Sequence, residues 1–211
     1  MQIESASMRS MDFNIYQDKV LGSLIGNHLG STIVAPIHKD RNNPVRLEDL
    51  EFTLPHTNGS LEFKMLWLDL AKKKGPYMRE HDFGDQWKNH CTLYEREHGI
   101  AARNLNLGLY PPDSGIHNNE YWGEGMGSII RAEIWGLLNP GMPAQAAYFA
   151  GMDASLDHDG FSVDASRFIS TMTAIAFFKS DVREIIDGAS SIFEHQCPFI
   201  DVLEFSLELH D

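Results

Sequence analysis

Cys91 and Cys197 are the only thiols in the 211 residues. They have no short spacing, so neither a disulfide framework nor a cysteine-based zinc site is expected. Long apolar runs are missing too. Ala174-Ile175-Ala176-Phe177-Phe178 is among the longest, whereas a bilayer span takes roughly 20 residues. The opening MQIESASMRSMDFN lacks the basic-then-apolar order of a secretory leader. Positive charge is scarce, with 17 Lys and Arg against 30 Asp and Glu and a net charge of −13. Such a surface repels phosphate backbones and anionic lipid, which argues against nucleic-acid and membrane partners. A small anion can still be held locally by backbone N–H groups and helix N-termini. Alternating strand patterns and internal repeats are also absent. The chain therefore reads as a soluble, cytoplasmic, all-α protein.

Hydrophobic residues at 43% and charged residues at 22% describe an ordinary globular composition. The expected organisation is a flexible arm over 1–13 and a single domain over 14–211. Residues 16–34 place Val20, Leu21, Leu24, Ile25 and Leu29 at helical spacing, with Gly22, Gly26 and Gly30 on one face. That face suits either a closely packed helix or a ligand approaching the backbone. Residues 38–57 read as a loop. From Ser60 a helix is expected with Leu61, Met65, Leu68 and Trp67 inward, stopped after Lys72, Lys73 and Lys74 by Gly75. HDFGDQW reads as a turn entering a helix, and 101–109 as a short helix. Two prolines at 111 and 112 argue against any helix in 110–119. Further helices are expected over 128–138, from Pro143, over 160–179, after Asp181 and from Pro198, the last with Ile200, Leu203 and Leu207 on one face.

The chemistry concentrates in residues 122–160, WGEGMGSIIRAEIWGLLNPGMPAQAAYFAGMDASLDHDG. Gly123, Gly125 and Gly127 alternate. Glycine allows unusual backbone angles and close approach of a ligand, and it equally suits a tight turn into a helix. An Ala-rich helix follows, then His158 between Asp157 and Asp159. Asp153, Asp157 and Asp159 match no metal-loop spacing, and a solvated or structural role is the expectation for them.

Four stretches occur in an order that resembles the ADP-ribosylglycohydrolase family: DKVLGSLIGNHLG, NLNLGLYPPDSG, GEGMGSIIRAEIWGLLNPGMP and AAYFAGMDASLDHDG. The resemblance implies an all-α, compact orthogonal multi-helix bundle. It also implies a magnesium-dependent hydrolase that cleaves ADP-ribose from a modified group. By position, the family's ligand loop corresponds to Gly123, Gly125, Met126, Gly127 and Ser128. The aromatic before it corresponds to Tyr121 or Trp122, and the family's histidine to His158.

Three departures fall on the reacting centre. The family's Thr-Asp-Asp-Thr metal motif matches His56-Thr57-Asn58-Gly59-Ser60 here, and Thr57 and Asn58 offer only neutral oxygens to a hard cation. The acid expected after the first Gly-rich helix falls at or near His38. The family's C-terminal part, with its second Asp/Thr cluster, is missing before Asp211. Glu62 is the nearest retained acid. The expectation is a degenerate metal centre that does not bind Mg2+, with an ADP-ribose-type small molecule as the ligand. The alternative is a binding or structural protein without catalysis. Apolar helix faces left uncovered by a short bundle would favour a homodimer.

Overall fold

The computed structural model describes residues 10–37, 59–193 and 197–210, with side chains for all of these except 31–37. Most of the expected arm, the loop over 38–57, and His38, His56, Thr57 and Asn58 lie outside the described residues. The chain divides into two units, Met1–Gly59 and Ser60–Asp211. In the first unit, α1 (Phe13–Ile37) extends the expected helix by three residues at each end.

The second unit contains α2 (Gly59–Lys74, all but its first residue), α3 (Glu80–His90), α4 (Arg96–Asn106), α5 (Asp113–Ile116), α6 (Ile129–Leu138), α7 (Pro143–Ala154), α8 (Gly160–Ala176), α9 (Val182–Ser190) and α10 (Pro198–Glu208). No strand occurs among the described residues, so the class is all-α as expected. Several boundaries follow from local chemistry. Gly75 adopts φ +61 after the lysine run, and Gly141 adopts φ +71 after Asn139-Pro140; both are left-handed conformations that favour glycine at a helix stop. Asp181 Oδ1 accepts the Glu184 N–H at 2.9 Å, which caps α9.

Two expectations need correction. Trp67 faces inward as expected, but the buried residues beside it on α2 are Phe63, Lys64 and Leu70, while Leu61 and Met65 are exposed. The larger aromatic surfaces set the register, because burying Phe63 and Trp67 removes more apolar area from water than Leu61 and Met65 would. The second correction is α5, a single helical turn within 110–119. The prolines precede it rather than interrupt it, so no interior N–H is lost, and Asp113 complements the positive end of the turn.

The core is aromatic. Trp67 touches Phe83 with ring centroids at 5.3 Å and Trp135 at 6.2 Å, and Trp135 meets Phe149 at 5.6 Å. These contacts join α2, α3, α6 and α7. A buried ion pair between Lys64 and Glu133 ties α2 to α6, and Gln86 Nε2 donates to Leu66 O and Asp69 Oδ2 to tie α3 to α2. Behind them, α6 and α7 both lie along α8. The α6–α8 approach is close because both surfaces are small. A Cβ on Gly136 would collide with Thr173 and sit 2.5 Å from the Ser170 carbonyl oxygen.

That contact generates a prediction. In an open helix Gly→Ala would stabilise by about 1 kcal/mol. At Gly136 the added methyl meets backbone that cannot rotate away, so Gly136→Ala should destabilise by about 1–3 kcal/mol. Thermal melting checks it. A melting temperature equal to or above wild type would show that α6 and α8 have room to separate.

Candidate functional site

The end of α7 supplies two aspartates one helical turn apart, and α6 presents Arg131 to both. Arg131 is fully buried. Its Nε donates to Asp153 Oδ1 at 2.7 Å, Nη2 to Asp157 Oδ1 at 2.5 Å, and Nη1 to Asp157 Oδ2 at 3.0 Å. Trp135 Nε1 donates to the remaining oxygen of Asp153 at 2.9 Å. The guanidinium also lies over the rings of Phe63 (5.2 Å) and Trp87 (5.3 Å), so the aromatic core forms one wall of the ionic cluster.

Asp157 carries the arrangement onward. His158 Nδ1 lies 2.7 Å from Asp157 Oδ1, and His98 Nδ1 lies 3.1 Å from Oδ2. An ionised carboxylate only accepts, so both Nδ1 atoms carry hydrogen and both Nε2 atoms are left as acceptors while the rings are neutral. Burial alone would raise the Asp157 carboxyl. Arg131, His158 and His98 outweigh it and hold the group well below the usual carboxylate range. At Asp153 burial wins over Arg131 and Trp135, and the carboxyl is pushed up.

His158 is itself buried, and its Nε2 has no hydrogen-bond partner. Directly over it runs the glycine loop. A Cβ on Gly127 would sit 3.0 Å from His158 Nε2 and would clash with Glu97 Oε1. Glu97, from the first turn of α4, is also buried, and its Oε2 is likewise without a partner. Two groups capable of taking or giving a proton thus face the same glycine, each with an unsatisfied polar atom. Such atoms are rare in native interiors, because each costs about 1–3 kcal/mol. Asn119 anchors the start of the loop: its Nδ2 donates to Gly115 O at 2.7 Å and Asp157 O at 2.8 Å, and its own carbonyl receives the Gly123 N–H at 2.8 Å. Its Oδ1 is the third buried atom here without a partner.

The three loop glycines are not in the left-handed region, which corrects the expectation of unusual backbone angles. Their role is close approach. A Cβ on Gly123 would come 2.9 Å from Asn119 O, and one on Gly125 would come 3.0 Å from Trp122 O. The Gly125 N–H is donated to Trp122 O at 2.9 Å, so the N–H groups of Gly123 and Gly125 are engaged within the loop.

The other sequence candidates are spread around this centre. Tyr121 is 83% exposed and Met126 67% exposed, both on the outer surface of the loop. Trp122 is half-buried, meets Tyr121 edge-on at 4.7 Å, and has the Arg96 guanidinium 5.6 Å from its ring centre. Ser128 points inward, its Oγ 2.7 Å from Ser162 Oγ and 2.8 Å from Ser166 Oγ, where it joins α6 to α8. Glu62 lines a separate pocket of about 260 Å3 with Phe63, Leu66 and Cys91. A larger pocket of about 550 Å3 lies along α7 over Ala147, Gly151 and Ser155, and no loop residue lines it.

Glu97, His98 and Arg131 were not singled out by sequence reasoning. A signal existed for Arg131, the one cation in the apolar run IIRAEIWGLL, since a charge buried in such a helix needs an opposite charge nearby. The carboxylates at 153 and 157 are that partner. Asp159 is exposed and begins α8. The resemblance implies a metal ion; its matching motif positions Thr57 and Asn58 lie outside the described residues, and the donors that are described do not form a set for one. Asp153 and Asp157 are committed to Arg131, leaving Glu97 as the one buried carboxylate at the loop among the described residues. Among the described residues no group of three His, Cys, Asp or Glu side chains could hold a metal.

The sign of the Asp157 shift gives a pH prediction. Its folded pKa lies below the unfolded value of about 4, so its stabilisation is present above about pH 4 and lost as pH falls through the lower folded value. Asp157→Asn should therefore cost about 3 kcal/mol at pH 7, and the gap from wild type should narrow below pH 4. Urea unfolding at pH 7 and at pH 3 checks this. A gap that is unchanged or wider at pH 3 contradicts it.

Comparison with known proteins yields one positive finding: the family model for ADP-ribosylglycohydrolase matches residues 13–211. No curated protein matches the chain significantly, and no solved structure does. The match runs through α1, the glycine loop and the Arg131–Asp157–His158 cluster to the end of α10, and it agrees with the all-helical fold. On that basis, the chain belongs to the ADP-ribosylglycohydrolase family.

Proposed function

We propose that this protein binds an ADP-ribose-type ligand at the 123–127 loop and that its metal-dependent hydrolysis is impaired. The observation that carries the binding half is that both side chains packed against Gly127 hold a buried, unpartnered atom, His158 Nε2 facing the glycine and Glu97 Oε2 beside the Oε1 that faces it. A ribose hydroxyl is both donor and acceptor, so it would satisfy either atom and lift the cost of leaving it unpaired. Glu97 then takes the place that Glu62 held as the nearest acid. Trp122 and Tyr121 supply flat apolar surface beside the loop for a base or ribose face.

The impaired half is supported by chemistry of the donor set. The family's cation would stabilise charge on the ribosyl group when bound. The aspartates of the described site are instead bonded to Arg131, and Thr57 and Asn58 replace carboxylates in the matching motif. What this chain's own residues can do is hold ligand hydroxyls, orient His158 through Asp157, and place a carboxylate beneath the loop.

Calorimetry tests the binding half. ADP-ribose should give saturable heat, and Glu97→Gln should weaken it roughly tenfold or more, the loss of a hydrogen bond to a charged group. No heat at millimolar ADP-ribose would instead favour a structural or interaction role. The metal half has a separate test. Millimolar magnesium should leave the melting temperature unchanged, because a cation that does not bind the folded state adds no stability. A rise of several degrees, reversed by EDTA, would contradict it.

A further inference from the structure

A ligand carrying phosphates brings negative charge to a chain of net charge −13. Two N–H groups of the glycine loop, those of Gly123 and Gly125, already donate to Asn119 O and Trp122 O. Two buried cations of this unit are engaged as well. Arg131 is held by two aspartates, and Lys64 by Glu133. Arg96 differs from both. It is exposed, it lies over Trp122 beside the loop, and it makes no ion pair with any described residue. It also directly precedes Glu97, so one turn of chain carries a buried carboxylate under the loop and an exposed guanidinium at its rim.

Its backbone carries a second sign. Arg96 adopts φ +53, one of two non-glycine residues with positive φ among those described. Arginine gains nothing locally from that conformation, whereas glycine would adopt it without strain. Strain of this kind persists where the side chain's placement is needed. Arginine's planar fork matches phosphate oxygens two at a time, which a lone ammonium does not.

We propose that Arg96 is the specificity-determining residue that meets the ligand's phosphate charge, so that the site selects a phosphate-bearing nucleotide over the uncharged nucleoside. The inference rests on the 123–127 loop being the ligand site. Trp122, with the guanidinium against its ring, orients Arg96 and is the surface on which the ligand's planar part would lie.

The test is calorimetry of the full chain with two probes, ADP-ribose and adenosine, combined with thermal melting. Arg96→Gln should raise the Kd for ADP-ribose tenfold or more and leave adenosine binding unchanged. Arg96→Gly should weaken ADP-ribose equally while the melting temperature holds or rises, because glycine relieves the positive φ. A purely structural arginine would lower the melting temperature in Arg96→Gly and weaken both probes alike, which overturns the proposal. Wild-type-like ADP-ribose binding by Arg96→Gln overturns it as well, and leaves the loop as a ligand site. Failure of the wild-type protein to bind either probe overturns both readings.

Discussion

Arg131 sits on an apolar helix with no access to water, and its charge is tolerable there because Asp153 and Asp157 surround it with oxygens. Taking one charge out of water without its partners costs several kcal/mol, so α6 and the end of α7 are obliged to meet at this point. The aromatic wall of Phe63 and Trp87 closes the other side. Four helices are therefore located by one guanidinium. A well-packed apolar replacement could be as stable; what the ionic cluster adds is a fixed position for Asp157.

From Asp157 the order propagates outward. Its two oxygens hold His98 and His158 by their Nδ1 atoms, its carbonyl receives Asn119, and the Asp159 N–H reaches Gly123 O at 2.8 Å. The glycine loop is thereby tied at both of its faces to the α7 terminus. Close packing completes the arrangement: Gly127 rests on Glu97 and His158 with no space for a methyl group. The unpartnered atoms of Glu97, Asn119 and His158 all lie in this tied region.

Much of the fold was legible in the sequence. Helix stops at Gly75 and Gly141, the cap at Asp181, and the inward face Ile200, Leu203 and Leu207 follow from local chemistry that tertiary packing does not override. The face of α2 was less legible, because a leucine-and-methionine stripe and an aromatic stripe compete on one helix and only the neighbouring Trp135 and Phe83 decide between them. The candidate cluster was half legible. Gly127 and His158 could be found from a loop pattern and a family order. Glu97 could not, since a lone glutamate in REHGIAARN looks like a solvated helix start, and its burial comes from a glycine thirty residues away. Asp153 and Asp157 have the same difficulty: spacing alone does not distinguish two carboxylates awaiting a metal from two that hold an arginine.

If the 123–127 loop is the ligand site, the ligand meets His158 Nε2, the unpartnered atom beneath it. Nitrogen-15 NMR of histidine-labelled protein, with the His158 signals assigned through His158→Gln, reads that atom directly. The expected result is a His158 ring with its hydrogen on Nδ1, bonded to Asp157, and an Nε2 resonance that moves as ADP-ribose is added to saturation. A His158 signal that stays in place at millimolar ADP-ribose would contradict it.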